Sequence, residues 1–151
     1  MEFKDATHGL GYDFERQVMS LFGKDFRILS WAQDGLRTQQ EIDFIPDLEI
    51  EHIQSKAKFG VECKFRSTLY EGRISWAKEY QPGKYQRYAS QTGRHVFIVI
   101  GIGGSPSNPN YMYCIPLWRM KANLLNPGEL KRYRRNPRRK FAYDQSTGQL
   151  T

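Results

Sequence analysis

Residues 59–65, FGVECKF, form the strand around which the rest of this chain is organised. Successive side chains of a strand point to opposite faces, so Val61, Cys63 and Phe65 turn one way while Glu62 and Lys64 emerge together on the other. A carboxylate and an ammonium are thereby held side by side on rigid backbone. Downstream, residues 82–93, PGKYQRYASQTG, begin with proline and end with glycine, which predicts a helix between those limits. Residues 95–102, HVFIVIGI, are a β-branched, nearly all-apolar run, the composition of a central strand buried on both faces. A strand–helix–strand passage from 59 to 102 requires a crossover between parallel strands, and so an α/β domain with a mixed central sheet flanked by helices.

Towards the N-terminus, Leu10, Phe14, Val18, Leu21 and Phe22 recur at helical spacing and Gly23 offers a stop, predicting a helix over 10–23 with Glu15 and Arg16 beside its apolar stripe. A strand is expected at 26–31 (FRILSW), a turn at Asp34-Gly35, and a second strand at 41–45, where Asp43 sits between Ile42 and Phe44 and Pro46 ends the run. Residues 47–58 either extend a hairpin or form a short insertion. Towards the C-terminus, 66–81 reads as a loop flanking the site, 103–110 as a turn-rich loop, 111–117 as a strand and 118–125 as a short helix or turn. The predicted organisation is one domain over 1–128 followed by a basic C-terminal extension over 129–151.

At 151 residues with 39% apolar side chains the chain is large enough to bury a core without disulfides or structural metal. Its longest apolar run, 96–102, is far shorter than the ~20 residues that span a bilayer, so a protein free of the membrane is expected. Cys63 and Cys114 lie in apolar runs and make no CxxC pair, which favours buried thiols and a reducing cytoplasm. His8, His52 and His95 lack metal-ligand spacing. The net charge of +7 is unevenly spread: −6 over 1–54, +6 over 55–95 and +6 over 131–151. Positive charge thus gathers around Glu62 and Lys64 and at the end of the chain, where a polyanion would approach.

By itself an E-x-K triplet in a strand is most often a solvated ion pair of little consequence. Asp43 is harder to dismiss, because aspartate is disfavoured in strands and an acid between isoleucine and phenylalanine needs a reason. Two carboxylates and an amine on neighbouring strands supply hard oxygen ligands for Mg2+ and a cation to orient water or offset phosphate charge. With Asp43, Glu62 and Lys64 so placed, and with helix, strands, helix and buried strand in this order over roughly 10–117, the sequence resembles the PD-(D/E)xK, or restriction-endonuclease-like, nuclease superfamily. The resemblance implies that Asp43 and Glu62 bind Mg2+, for which Mn2+ substitutes, together with the Cys63 carbonyl. It further implies that Lys64 positions the attacking water, that Glu15 reaches the metal through water, and that Gln86 is the polar residue beside the lysine, with Gln81 and Lys84 as competing choices. Pro46-Asp47 spells the motif's first two letters literally; Asp43 is favoured because a regular strand holds geometry better than a site past a proline, and Asp47 stays open.

The activity implied is Mg2+-dependent endonucleolytic hydrolysis of DNA, leaving 5′-phosphate and 3′-hydroxyl ends, of restriction, repair or junction-resolving type. The alternative is a noncatalytic nucleic-acid-binding module on the same fold. Lys56, Lys58, Arg66, Arg73, Lys78, Lys84 and Arg87 are expected to bracket the phosphate. Arg132, Arg134, Arg135, Arg138 and Arg139, within the run KRYRRNPRRK at 131–140, are expected to give a nonspecific, salt-sensitive grip. Two subunits would cut both strands of a duplex, which makes a homodimer an expectation.

Overall fold

The computed structural model describes residues 6–77, 81–120 and 124–151. In chain order the elements are α1 (Ala6–Ser20), β1 (Phe26–Trp31), α2 (Gln39–Phe44), β2 (Leu48–His52), β3 (Ala57–Arg66), β4 (Ile74–Ser75), α3 (Gln81–Thr92), β5 (His95–Ser105), β6 (Asn108–Pro116), β7 (Leu124–Leu125), β8 (Arg134–Arg135), β9 (Tyr143–Asp144) and β10 (Gln149–Leu150). Six strands form the main sheet in the order β1-β2-β3-β5-β6-β8. β3 and β5 run parallel, joined through α3, and the other neighbours are antiparallel. This is the mixed α/β sheet that the sequence predicts, with residues 96–102 of the apolar run buried in its interior and His95 exposed at its start.

The period-two alternation of the strands divides the core cleanly in two. Val61, Cys63, Phe97, Val99, Met112 and Cys114 face α1, meeting Phe14 and Val18. Ile98, Ile100, Tyr113 and Ile115 face α3, meeting Tyr85 and Tyr88 together with Ile74 and Trp76 from the segment that sequence reading left as loop. α1 comes very close to the sheet: a Cβ built on Gly101 would lie 2.5 Å from Phe14 Cε1. On the other face a Cβ at Gly60 would lie 2.9 Å from Pro46 Cγ, so the bare backbone there lets Pro46 settle against β3.

Three expectations are corrected. Residues 41–45 are not a strand: Gln39–Phe44 is helical, started by a capping box in which the Glu41 amide donates to Thr38 Oγ1 (3.2 Å) and the Thr38 amide to Glu41 Oε1 (3.0 Å). Pro46 then forces the chain out of the helix. Residues 103–110 are not a loop but the tip of the β5–β6 hairpin, in which Ser105 pairs with Asn108. Residues 129–151 are not an appended extension, because β8 pairs with β6 and closes the sheet, Leu130 joins the α3-side core, and Phe141 stacks on Phe22 at 4.3 Å between ring centroids.

β1 forms the free edge opposite β8, and its pairing with β2 slips between Ile28 and Ser30, leaving Leu29 as a bulge. Among the described residues no helix is long and apolar enough to cross a membrane.

Gly101→Ala should cost about 1–3 kcal/mol of stability, the usual penalty for forcing extra volume into a packed core. Urea unfolding of the two proteins measures it directly.

Candidate active site

Antiparallel pairing fixes the centre of the site. Leu48 of β2 lies opposite Val61 of β3, so Asp47, one residue earlier, comes opposite Glu62. The Asp47 amide donates to Glu62 Oε1 (3.1 Å), and the Cys63 amide donates back to Asp47 Oδ2 (2.9 Å). Glu62 Oε2 accepts the Tyr85 hydroxyl of α3 (2.7 Å) and lies 3.1 Å from Lys64 Nζ. The Glu62 and Lys64 side chains are 6% and 15% exposed, so this is a desolvated pair in which loss of one partner strands the other, not a surface ornament.

Glu15 enters from α1, buried, with one carboxylate oxygen accepting the Trp31 indole N–H (3.1 Å). Burial, reinforced by the negative charge of Glu62, pushes its carboxyl up from 4.5 to about 7, against the pull of Trp31 and Lys64. Asp47 is likewise raised, first by loss of water around its carboxyl and then by Glu62 and Glu15, with Lys64 and the Cys63 amide opposing. The acids and the lysine therefore act on one another electrically. Such mutually raised carboxyls are the state that a hard divalent cation relieves. Among the described residues, no three His, Cys, Asp or Glu side chains are already gathered around one point as a ligand shell.

The segment carrying Asp47 is held from behind. Arg37 donates to the carbonyls of Pro46 (2.8 Å) and Asp47 (3.2 Å) and to Ser30 Oγ (2.9 Å). One guanidinium thus ties the turn after α2 to β1, adding to the bond that the Asp47 carbonyl already accepts from the Ala32 amide (2.9 Å).

Of the predicted site residues, the structure pairs Glu62 with Lys64 on either side of Cys63 in β3 and brings Glu15 of α1 within electrostatic range of both. It does not bring Asp43, which lies exposed on α2 with its carboxylate accepting Gln39 Nε2 at 3.0 Å, one helical turn away. The acid facing Glu62 is Asp47, the alternative that the sequence left open. Gln86 is also misplaced: it is exposed and borders a groove with Ala89, Ser90, Val96, Trp118 and Met120. α3 reaches the site through the preceding residue, Tyr85. Lys84 instead ties α3 to α2 by donating to the Ile42 carbonyl (3.1 Å), while the side chain of Gln81 lies outside the described residues.

The predicted phosphate-binding cations divide similarly. Lys56, Lys58, Arg73 and Arg87 are exposed. Arg66 is spent internally, donating to the carbonyls of Phe65, Ser75 and Trp76. Lys78 lies outside the described residues. Arg132 and Arg134 lie over the rings of Tyr133 and Tyr111, Arg138 donates to Asn108 Oδ1 (2.6 Å), and Arg139 is exposed. Arg135 is buried, contrary to its expected place in a solvated grip, because its guanidinium lies 3.9 Å from the centre of the Phe141 ring.

Sequence reading missed Tyr85, Trp31 and Arg37. The only signal that Tyr85 and Trp31 carry in the sequence is that a buried hydroxyl or indole N–H needs a partner.

No protein-family model matches the sequence, and no curated protein matches it. Solved structures do, among them the Holliday junction resolvase Hjc of the archaeal hyperthermophile Archaeoglobus fulgidus. That structure aligns over 80% of this chain and 87% of the resolvase with a TM-score of 0.56 and 13% sequence identity, a likeness of fold.

A carboxyl whose folded-state pKa is raised holds its proton more tightly when folded, so its contribution to stability falls as pH rises from 4.5 towards 7. By linkage the Glu15 loss is on the order of 3 kcal/mol. Glu15→Gln should therefore flatten the decline, melting closer to its acid-side value at pH 8 than the parent does, as thermal unfolding across pH 5–8 will read out.

Proposed function

Given that this chain has the restriction-endonuclease-like fold of the PD-(D/E)xK superfamily, we propose that it is a divalent-metal-dependent endonuclease hydrolysing phosphodiester bonds in DNA. The observation that carries the reading is the cross-strand pair: Asp47, next to Pro46, faces Glu62, with Lys64 at 3.1 Å from Glu62 and Glu15 closing in from α1. In this chain the motif is Pro46-Asp47 followed by Glu62-Cys63-Lys64.

The donor set suits Mg2+, with Mn2+ as a substitute: carboxylate oxygens and an electrostatic conflict that a cation resolves. Asp47 and Glu62 would hold it with the Cys63 carbonyl, and Glu15 would contribute through water. When bound, the ion lowers the pKa of a coordinated water and offsets charge building on the phosphate. Tyr85 and the Asp47 amide fix the rotamer of Glu62, so that its remaining lone pairs are aimed before substrate arrives. Lys64, held by Glu62, presents its ammonium to the attacking water and the phosphate oxygens. Lys58, Arg73 and Arg87 supply a backbone grip of the salt-dependent kind. Four-way junctions are the first substrate to try, because the structure sharing this fold is a junction resolvase.

The test is a panel of duplex, flapped, single-stranded and four-way-junction DNA with Mg2+, Mn2+ or EDTA. Metal-dependent cutting is expected, lost by at least ~10²-fold in Asp47→Asn, Glu62→Gln and Lys64→Met, with DNA retention preserved. Asp43→Asn should cut normally. Retention of DNA without metal-dependent cutting on any substrate would instead identify a binding module. A second measurement separates metal binding from turnover: Mg2+ should raise the melting temperature of the parent but not of Asp47→Asn, because only the folded cluster binds it.

A further inference from the structure

β6, β8 and β10 border a cavity of about 190 Å³ on the face of the sheet opposite Glu62. The faces differ by register: Glu62 pairs with Ile98, which faces α3, whereas Arg135 pairs with Met112, which faces α1. Phe97 and Cys114 form part of the wall, and Arg132, Arg135 and Arg139 contribute positive charge. Arg134 belongs to the rim, with its guanidinium over Tyr111. Among the described residues no aspartate or glutamate side chain lines the space, which Gln149, Leu150 and Thr151 complete.

Arg135 is the unusual member. It is 5% exposed, and its Nε has no hydrogen-bond partner among the described residues. Its Nη2 donates to the Arg139 carbonyl, and its Nη1 meets only the Met112 sulfur, a weak acceptor, at 3.2 Å. Among the described residues no carboxylate pairs with it. A buried guanidinium without a counter-ion is costly, and the Phe141 ring face offsets that cost only in part. Burial lowers its pKa to about 10, which leaves it charged at neutral pH. With Arg132 and Arg139 beside it, the cavity carries an excess of positive charge.

We propose that this cavity is an anion site that takes a single phosphoryl group. The volume holds one such group with a few waters, at ~30 Å³ per water, and is too small for a nucleic-acid strand. Arg132 and Arg139 would contact the oxygens from the cavity mouth, and the Arg135 charge would hold the group by its field. The inference is independent of the cleavage chemistry, because Glu62, with its partners Asp47 and Tyr85, lies on the opposite face and none of the acids lines the cavity.

The probe is inorganic phosphate, titrated into the full-length protein at constant ionic strength with chloride as the balancing ion and followed through the Arg135 Nε–Hε resonance. A saturable shift with phosphate and none with chloride is expected. Arg132→Gln and Arg139→Gln, both at solvent-accessible positions, should each weaken it by about tenfold, the usual worth of a charge-assisted hydrogen bond. Lys64→Met, in the acid cluster, should leave the shift unchanged. A parallel titration with a short duplex bearing or lacking a 5′-phosphate separates the sources: a response to the phosphorylated duplex assigns the site to a DNA end, and a response to inorganic phosphate alone assigns it to the free ion. No saturable response to either, an equal response to chloride, or undiminished binding by the Arg132→Gln/Arg139→Gln double variant would overturn the proposal.

Discussion

The reciprocal hydrogen bonding between Asp47 and the β3 backbone is the constraint on which the rest of this site depends. Asp47 gives its amide to Glu62 and takes the Cys63 amide on its carboxylate, so the ladder between β2 and β3 continues one step past the end of β2 through side chains. A slip of one residue in that register would send Glu62 and Lys64 to the α1 face and Val61 and Cys63 to the α3 face. The hydrophobic division of the sheet forbids it. The same apolar alternation that builds two cores therefore also keeps two acids opposite each other.

α3 reads this register from above. Tyr85 donates to Glu62 at 2.7 Å, and Tyr88, one turn later, donates to Glu49 at 2.6 Å, where Arg94 also binds at 2.8 Å. Two tyrosines at helical spacing thus pin one helix to β3 and β2 at once. The glutamate that retains a counter-charge near the protein surface, Glu49, is balanced by arginine, whereas Glu62 must share Lys64 with Asp47 and Glu15. The fold tolerates the resulting strain because Trp31, Tyr85 and the Cys63 amide each satisfy a carboxylate oxygen that would otherwise be buried unpaired.

Much of this was legible in the sequence, for physical reasons that differ by residue. The strand 26–31 was read with the bounds it has, because FRILSW is bracketed by turn-forming residues. HVFIVIGI could be placed in the sheet interior because an apolar run without alternation is covered on both faces. Glu62 and Lys64 followed from period two alone. Asp43 failed because IDFI is too short for periodicity to separate helix from strand, although Thr38 and Glu41 carried the spacing of a capping box that would have argued for helix. Gln86 fails because the resemblance calls for a polar residue on this helix, whereas the group that reaches Glu62 is the hydroxyl of Tyr85, a residue otherwise suited to the core. The basic run 131–140 reads in the sequence as a nonspecific phosphate grip. Charge counting cannot see that Arg135 stacks on a phenylalanine six residues further along, or that the run supplies the outer strand of the main sheet.

The bulge at Leu29 has a bearing on how this molecule behaves at high concentration. A six-residue outer strand with regular pairing would offer its unused amides and carbonyls to any neighbouring chain, and sheets would grow sideways from copy to copy. The extra residue bends that strand and spoils the spacing of its outer groups, while the opposite border is only two residues long, Arg134 and Arg135, too short to template an incoming strand. Both margins are thus poor seeds for fibrous association, even though Ile28 and Leu29 remain more than a third exposed.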